Sequence, residues 1–343
     1  MKELINMDLV KDYQVEPGRK VFSATHEEIL AGYTSDVYFV KTRQLLQEKG
    51  LDDKVVTAEI FTSKAGIFAG REEAVNLLRD KNLEIEALPE GKKMEDKEVV
   101  MSITGRYCDF GIFETAILGI FSSSSGWATR AAECKEAAQD KMLLCFGSRH
   151  IHPSVAPVME RAAMIGGCDG ASCILGAKLM DKQPSGTIPH AAVLLFGDTV
   201  EAAVAYHEVM PPYAPRIILV DTFKDEAEES LRVAGALKKE LEGVRLDTPS
   251  ERGGVTPELV REVRARLDQA GYINCNIIVS GGLNPERITI LQEAGAGAFG
   301  VGSYIANATP INMTMDIKAI EGRPIAKRGR IPGPTKNPRL ERI

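Results

Sequence analysis

No two cysteines in this chain form a Cys-x-x-Cys pair, although six are present, at positions 108, 134, 145, 168, 173 and 275. Cys168 and Cys173 come closest, and a lone Cys-x4-Cys with no second pair and no neighbouring histidine does not make a zinc motif. Buried, reduced thiols are expected instead, and no zinc. Long hydrophobic runs are missing as well. The longest apolar patch, residues 116–121, falls far short of the roughly 20 residues a membrane helix needs, so no membrane span is expected. Residues 1–10 carry Lys2, Glu3 and Asp8 and lack the apolar stretch of a signal peptide, which points to the cytoplasm. Nor is there an excess of positive charge. The 42 Lys and Arg stand against 48 Asp and Glu, a net charge of −6. That balance excludes a general electrostatic pull toward nucleic acid or an anionic membrane and leaves any phosphate binding to local basic groups. Internal sequence repeats and low-complexity segments are also absent.

What the chain does have is a rhythm in its second half. Apolar runs at 217–220, 244, 277–279 and 298–299 each end in a small or acidic polar cluster. The landmarks Asp221, Asp247, Ser280 and Gly300 stand 26, 33 and 20 positions apart. Helical patterns at 227–241, 258–270 and 285–294 fill the gaps. Repeated strand–helix units of about 30 residues make a (β/α) barrel, in which ligands sit at the carboxyl ends of the strands. Upstream, 142–146 reads as the first barrel strand, 154–165 as a helix, 170–175 as a buried strand and 191–196 as an apolar helix. Two helices, 113–121 and 127–141, precede them, separated by the small-residue run 122–126. Before these, a helical stretch at 36–49, strands at 55–61, 84–88 and 95–103, and a helix at 72–79 suggest a separate β-rich module. The expected fold is α/β: an irregular (β/α) barrel over 113–317 and an N-terminal α+β domain over 1–112, joined by the tail 318–343.

Several rim residues have the chemistry of a phosphate site. Gly281-Gly282 and Gly300-x-Gly302-Ser303 end two consecutive strands, where glycine lets backbone N–H groups approach an anion or simply turns a tight corner. Asp221 and Asp247 follow apolar strands; each either caps the next helix or addresses ribose hydroxyls or Mg²⁺. Arg245, two residues before Asp247, shares its face of the strand and suits a carboxylate or phosphate. His190 closes the Gly186-Thr187-Ile188-Pro189-His190 loop, as a structural or a catalytic residue. His150 and His152 form an i, i+2 pair with no third metal ligand nearby. The basic stretch 327–342 reads as a solvated segment or a subunit contact.

Together these segments resemble the nicotinate phosphoribosyltransferase family, the type II phosphoribosyltransferases, from about Thr34 to Arg328. The resemblance rests on Thr34–Tyr38, Glu114-Thr115-x-x-Leu118, Ala128-Thr129-Arg130, Phe146-Gly147-Ser148-Arg149, Gly186–His190, Asp221-Thr222, Arg245-x-Asp247, Ser280-Gly281 and Gly300-x-Gly302, all in the family's order. It implies transfer of phosphoribosyl from 5-phosphoribosyl-1-pyrophosphate to nicotinate in NAD salvage. The transfer would be coupled to ATP hydrolysis through a phosphohistidine and accompanied by Mg²⁺. By the same resemblance His190 is the phosphohistidine, and Phe146 stacks the pyridine ring with Tyr38, beside Asp36, reaching it from a neighbouring subunit of a homodimer or larger assembly. Arg149 and Arg245 serve the carboxylate and sugar phosphates. Asp221 and Asp247 serve the ribose or Mg²⁺-pyrophosphate, Gly281, Gly282, Gly302 and Ser303 cradle the 5-phosphate, and Thr187, Ser280 and Gly300 are further substrate-binding residues.

Departures from the pattern are Gly282, where many relatives carry an acid, and Pro249, where many have Ser-Gly. No cysteine follows Cys275, so the zinc knuckle of some relatives is not expected. The alternatives are quinolinate phosphoribosyltransferase, which decarboxylates and uses no ATP, nicotinamide phosphoribosyltransferase, and a non-catalytic nucleotide-binding barrel. The Gly-Thr-x-x-His loop, and the lack of a Lys-x-Asn-His strand end, favour the nicotinate enzyme over the quinolinate one.

Overall fold

A computed structural model describes residues 2–343. In chain order the strands used below are β1 (Val55–Thr62), β2 (Glu84–Ala87), β3 (Val99–Arg106), β4 (Met142–Cys145), β5 (Gly170–Ala171), β6 (Ile217–Leu219), β7 (Gly243–Leu246), β8 (Asn276–Val279), β9 (Ala298–Val301), β10 (Met313–Ile320), β11 (Arg323–Pro324) and β12 (Glu341–Arg342). The chain divides into two compact units, Met1–Thr129 with Thr309–Ile343, and Arg130–Ala308.

The first unit is built on an antiparallel sheet in the order β11-β10-β1-β3-β2-β12. β1 is its spine because it is paired on both sides, Ile60 standing opposite Met315 and Met101. Ala58, Ile60, Met101 and Ile103 carry the sheet's core face, and Phe68, Phe110, Ile117 and Phe121 pack in the same cluster. Burial of such apolar surface drives the sheet's formation. β10 has no clean apolar alternation to announce it, since Asp316 and Lys318 are both buried within it. Their charges are met by the tail. Lys327 Nζ and Arg330 Nε lie 2.6 and 2.8 Å from the Asp316 carboxylate, and Arg330 covers the Phe61 ring. Lys318 Nζ donates to Ile331 O at 2.7 Å, and Thr335 N–H donates to the buried Glu59. Parts of 327–342 are therefore bonded to their own unit, while most of the segment's residues stay exposed.

The second unit holds the parallel strands in the order β5-β4-β9-β8-β7-β6, an open half-barrel. Each strand has only two to four residues and is almost wholly buried, which is why they read as short apolar runs without alternation. The helices between them start at well-formed caps. Asp225 accepts from Ala227 and Glu228 N–H, Thr256 from Leu259 N–H, and Asn284 from Arg287 N–H, the last two just before a proline at the first helical position.

Two sequence expectations fail here for physical reasons. Residues 114–138 form one continuous helix, Glu114–Ala138, through the small-residue run that was expected to end it. Small side chains there admit close neighbours: a Cβ on Gly126 would sit 2.8 Å from Thr309 O, and Ser125 Oγ accepts from Ala69 N–H. Strand β5 stops at Ala171 rather than running to residue 175. The chain turns away and begins the helix Ile174–Lys178, leaving Ile174 and Leu175 exposed. Of the six cysteines, which are free, Cys134, Cys145, Cys168 and Cys275 are buried. No helix among the described residues is long and apolar enough to cross a membrane.

Candidate active site

The carboxyl ends of β4, β5, β7, β8 and β9 open on a cleft of about 360 Å³ within the second unit. Its polar centre is Arg245, which β7 presents beside the ends of β6 and β8. The guanidinium donates from Nε to Ser280 Oγ (3.0 Å), from Nη1 to Thr187 Oγ1 (2.7 Å) and from Nη2 to Asp247 Oδ2 (3.0 Å). Ser280 Oγ in turn donates to Asp247 Oδ1 at 2.8 Å. Of Arg245's five N–H groups, three are engaged by these protein acceptors and two are left for a ligand. The same guanidinium stands 5.7 Å from the centre of the Phe146 ring, so a cation and an aromatic face share one wall.

The glycines do two different jobs. Gly281 and Gly282, after β8, both adopt positive φ (89° and 61°), a backbone glycine takes without strain, and both line the cleft. Gly300 and Gly302, within and after β9, make room for neighbours. A Cβ at Gly300 would overlap the edge of the Phe146 ring, and one at Gly302 would sit 2.9 Å from Phe146 O and 3.0 Å from His150 Nε2. Ser303 completes that rim and begins the short helix Ser303–Ala306.

Phe146, Arg149, Thr187, Arg245, Asp247, Ser280, Gly281, Gly282, Gly300, Gly302 and Ser303 thus meet in one cleft. His190 and Asp221 are paired next to one another but are not among its lining residues. His190 Nε2 donates to Asp221 Oδ2 at 3.1 Å. The aspartate's other oxygen, Oδ1, is buried with no partner, as is Thr222 Oγ1. Burial pushes the Asp221 carboxyl above its ordinary value, and the bond from His190 works against that rise. Asp36 and Tyr38 belong to the first unit, at the start of the helix Val37–Glu48. Asp36 and Thr115 exchange two hydrogen bonds of 3.1 Å, and the Tyr38 side chain is exposed beside Phe39.

Sequence reasoning passed over His150, Ser148 and Ser172, all of which line the cleft. The sequence alone offers His150 only as a metal ligand paired with His152. In the structure His152 Nδ1 instead accepts from Ser154 N–H, and no group of three or more His, Cys, Asp or Glu able to hold a metal ion occurs among the described residues. The available signal for His150 was its place directly after Arg149 at a barrel strand end.

An open parallel half-barrel with a cleft at its strand ends and a separate antiparallel domain is the fold of the type II phosphoribosyltransferases. Profiles described as "Quinolinate phosphoribosyl transferase, N-terminal domain" and "C-terminal domain" match residues 36–125 and 127–316, and the chain belongs to this family. A solved structure described as nicotinate-nucleotide pyrophosphorylase from Pyrococcus furiosus is 44% identical, with a TM-score of 0.86 over 91% of this chain and 82% of that one. A nicotinate phosphoribosyltransferase of Mycobacterium tuberculosis is 28% identical over 71% of this chain and 55% of its own length. This chain therefore spans about half of that curated relative. The nicotinate-nucleotide pyrophosphorylase of Francisella tularensis, 17% identical with a TM-score of 0.62 over 88% of this chain and 100% of that one, shares the fold.

These comparisons correct the ATP-coupled nicotinate phosphoribosyltransferase expected from the motifs. Both halves match the quinolinate family, and the 44%-identical structure is a nicotinate-nucleotide pyrophosphorylase. The rim motifs describe a barrel geometry that both enzymes use, so their order does not separate the two. The phosphohistidine role of His190 falls with the correction.

Proposed function

We propose that this chain transfers phosphoribosyl from 5-phosphoribosyl-1-pyrophosphate to quinolinate, with decarboxylation, giving nicotinate mononucleotide, pyrophosphate and CO2. The observation that carries this reading is the quinolinate-family match across both halves of the chain, joined to the 44%-identical nicotinate-nucleotide pyrophosphorylase. That relative is named for cleaving the same mononucleotide with pyrophosphate, and a 24%-identical Methanothermobacter relative is named as a probable carboxylating form of that enzyme.

The cleft suits the chemistry. Quinolinate is a flat ring with two adjacent carboxylates. Phe146 offers the ring a face, while Arg149, His150 and the two uncommitted N–H groups of Arg245 offer the carboxylates cations and donors. The 5-phosphate would lie on the N–H groups of Gly281, Gly282 and Gly302, next to Ser303. In the transfer, the pyridine nitrogen's lone pair forms the bond to the anomeric carbon as the bond from that carbon to pyrophosphate breaks. Pyrophosphate leaves with the electron pair. The ring nitrogen is now cationic and stabilises the pair left at C2 when the C2–carboxylate bond breaks. A proton from solvent then takes that position. No protein nucleophile is required; positioning and charge stabilisation supply the rate.

The donor set also fits Mg²⁺. Asp247, held by Ser280 and Arg245 at the cleft, would bind it through water, whereas Asp221 Oδ1 is buried and outside the cleft lining. Bound there, the ion would offset the charge of pyrophosphate. We extend the reading to a homodimer or larger assembly in which the exposed Tyr38 reaches a neighbour's cleft. Light scattering, together with activity recovered on mixing Tyr38→Ala with Arg245→Ala subunits, tests that part.

The main test supplies phosphoribosyl pyrophosphate with quinolinate, nicotinate or nicotinamide, each with and without ATP, and follows mononucleotide and CO2. The expected result is turnover of quinolinate with one CO2 per mononucleotide and no effect of ATP. Turnover of nicotinate with none of quinolinate overturns the proposal.

A further inference from the structure

Glu160, in the middle of the helix Ala156–Ile165, has no solvent exposure. A carboxylate is among the most costly groups to bury, and a core-facing helical position is filled as well by leucine. Its partners account for its presence. Oε1 accepts from Ser148 N–H (3.2 Å), Ser148 Oγ (2.6 Å) and Ser172 Oγ (3.0 Å), and Oε2 accepts from Cys173 N–H (2.6 Å). All four donors come from the loops that follow β4 and β5, and none from the glutamate's own helix. Ser148 and Ser172 are cleft residues, and Arg149 and His150 follow Ser148 directly.

We propose that Glu160 is a positioning residue for phosphoribosyl transfer, locking the loops after β4 and β5 together from beneath. The inference rests on the transferase reading above. The lock has two consequences. It fixes Arg149 relative to Ser172, so that one ligand meets both loops at once. It also commits the hydroxyl protons of both serines to the buried carboxylate, so that these hydroxyls turn lone pairs toward the cleft. That wall accepts hydrogen and donates none. Anionic oxygens are turned away from it toward Arg149, Arg245 and the glycine loops, which sets the orientation of a substrate that is anionic at several points.

The site demands a carboxylate. One backbone N–H faces each oxygen, so either orientation of a glutamine amide sets its NH2 group against a backbone N–H of Ser148 or Cys173. Aspartate is one methylene too short to reach both loops.

The test titrates phosphoribosyl pyrophosphate and, separately, quinolinate into the wild-type chain and into Glu160→Gln by calorimetry, with kcat and KM measured alongside. Stoichiometry reports the folded fraction, and Kd reports the geometry of the cleft. The expected result is a stoichiometry close to wild type, with quinolinate Kd and KM raised at least tenfold. A lowered stoichiometry with wild-type Kd and KM would mean that Glu160 serves stability alone, and would overturn the proposal. Should Glu160→Gln not fold, the Ser148→Ala, Ser172→Ala double variant keeps both backbone bonds and removes both hydroxyls. An unchanged quinolinate Kd in it overturns the proposal equally. A wild-type chain that binds neither compound refutes the transferase reading itself, an outcome distinct from equal binding by wild type and variant.

Discussion

His190 Nε2 lies 3.1 Å from Asp221 Oδ2, joining an imidazole that is 40% exposed to a carboxylate side chain with no exposure at all. Because Asp221 Oδ1 has no partner, this is the one side-chain hydrogen bond to the buried carboxylate among the described residues. Removing it in His190→Ala should cost about 1–3 kcal/mol at neutral pH, the usual penalty for stranding a buried acceptor. The sign with pH follows from burial, which raises the folded-state pKa of Asp221. Its stabilising contribution is present below the unfolded-state pKa and is lost as pH rises through the folded-state value. Urea unfolding of His190→Ala at pH 4.5 and pH 8 should therefore show the larger deficit at pH 8. Equal deficits at the two pH values would contradict this.

Replacing Arg245 with lysine keeps the charge and loses the fork that reaches Thr187, Ser280 and Asp247 together. A fall in kcat/KM on the order of 10²-fold, about 2.7 kcal/mol, is expected while the fold is retained. Steady-state kinetics with both substrates varied, and circular dichroism as control, decide it. A lysine variant within threefold of wild type would remove the fork from the mechanism.

A methyl group at position 300 cannot coexist with the present place of the Phe146 ring. Gly300→Ala should displace the ring, lower stability by about 1–3 kcal/mol and weaken the pyridine substrate more than phosphoribosyl pyrophosphate. Thermal unfolding and the two separate KM values test this. Equal weakening of both substrates would speak against Phe146 as the ring's platform.

Glu114, in the first unit, is pushed up to about 7, first by burial and next by the negative charge of Asp316. A carboxyl raised from 4.5 to about 7 on folding contributes stability that is complete below pH 4.5 and is lost as pH rises through 7. Wild type should thus lose about 1–2 kcal/mol between pH 5 and pH 8 through this group, after discounting for its partial exposure. Glu114→Gln should show a flatter profile. Denaturant titrations of both proteins at the two pH values provide the comparison.

Much of the architecture was legible because buried parallel strands and capped amphipathic helices leave local marks, as at Ile277–Val279 and Asn284-Pro285. The failures share one cause: tertiary contacts that leave no local mark. Ser122–Gly126 resembles a helix end until the chain's own segments at Thr309-Pro310 and Ala69 are found packed against it. β10 is hidden by Asp316 and Lys318, whose partners lie further along the chain. At the site, glycines, arginines and aspartates at strand ends were recognisable from their type and position. His150, Ser148, Ser172 and Glu160 were not, since a single histidine, a serine or a helical glutamate acquires meaning only from what it touches. Substrate choice was misread for a related reason. The rim motifs record how a phosphoribosyl group is held, a task shared across the class, and say little about which pyridine acid is joined to it.

The notch that Gly300 leaves beside Phe146 has a thermodynamic consequence. A ring seated between β9 and the Arg245 guanidinium has already given up its rotamer freedom when the chain folds. Ordering a side chain at the moment of binding costs about 0.5–1.5 kcal/mol. Here that entropy is lost before any ligand arrives, so a flat substrate meets a surface that does not have to be assembled around it.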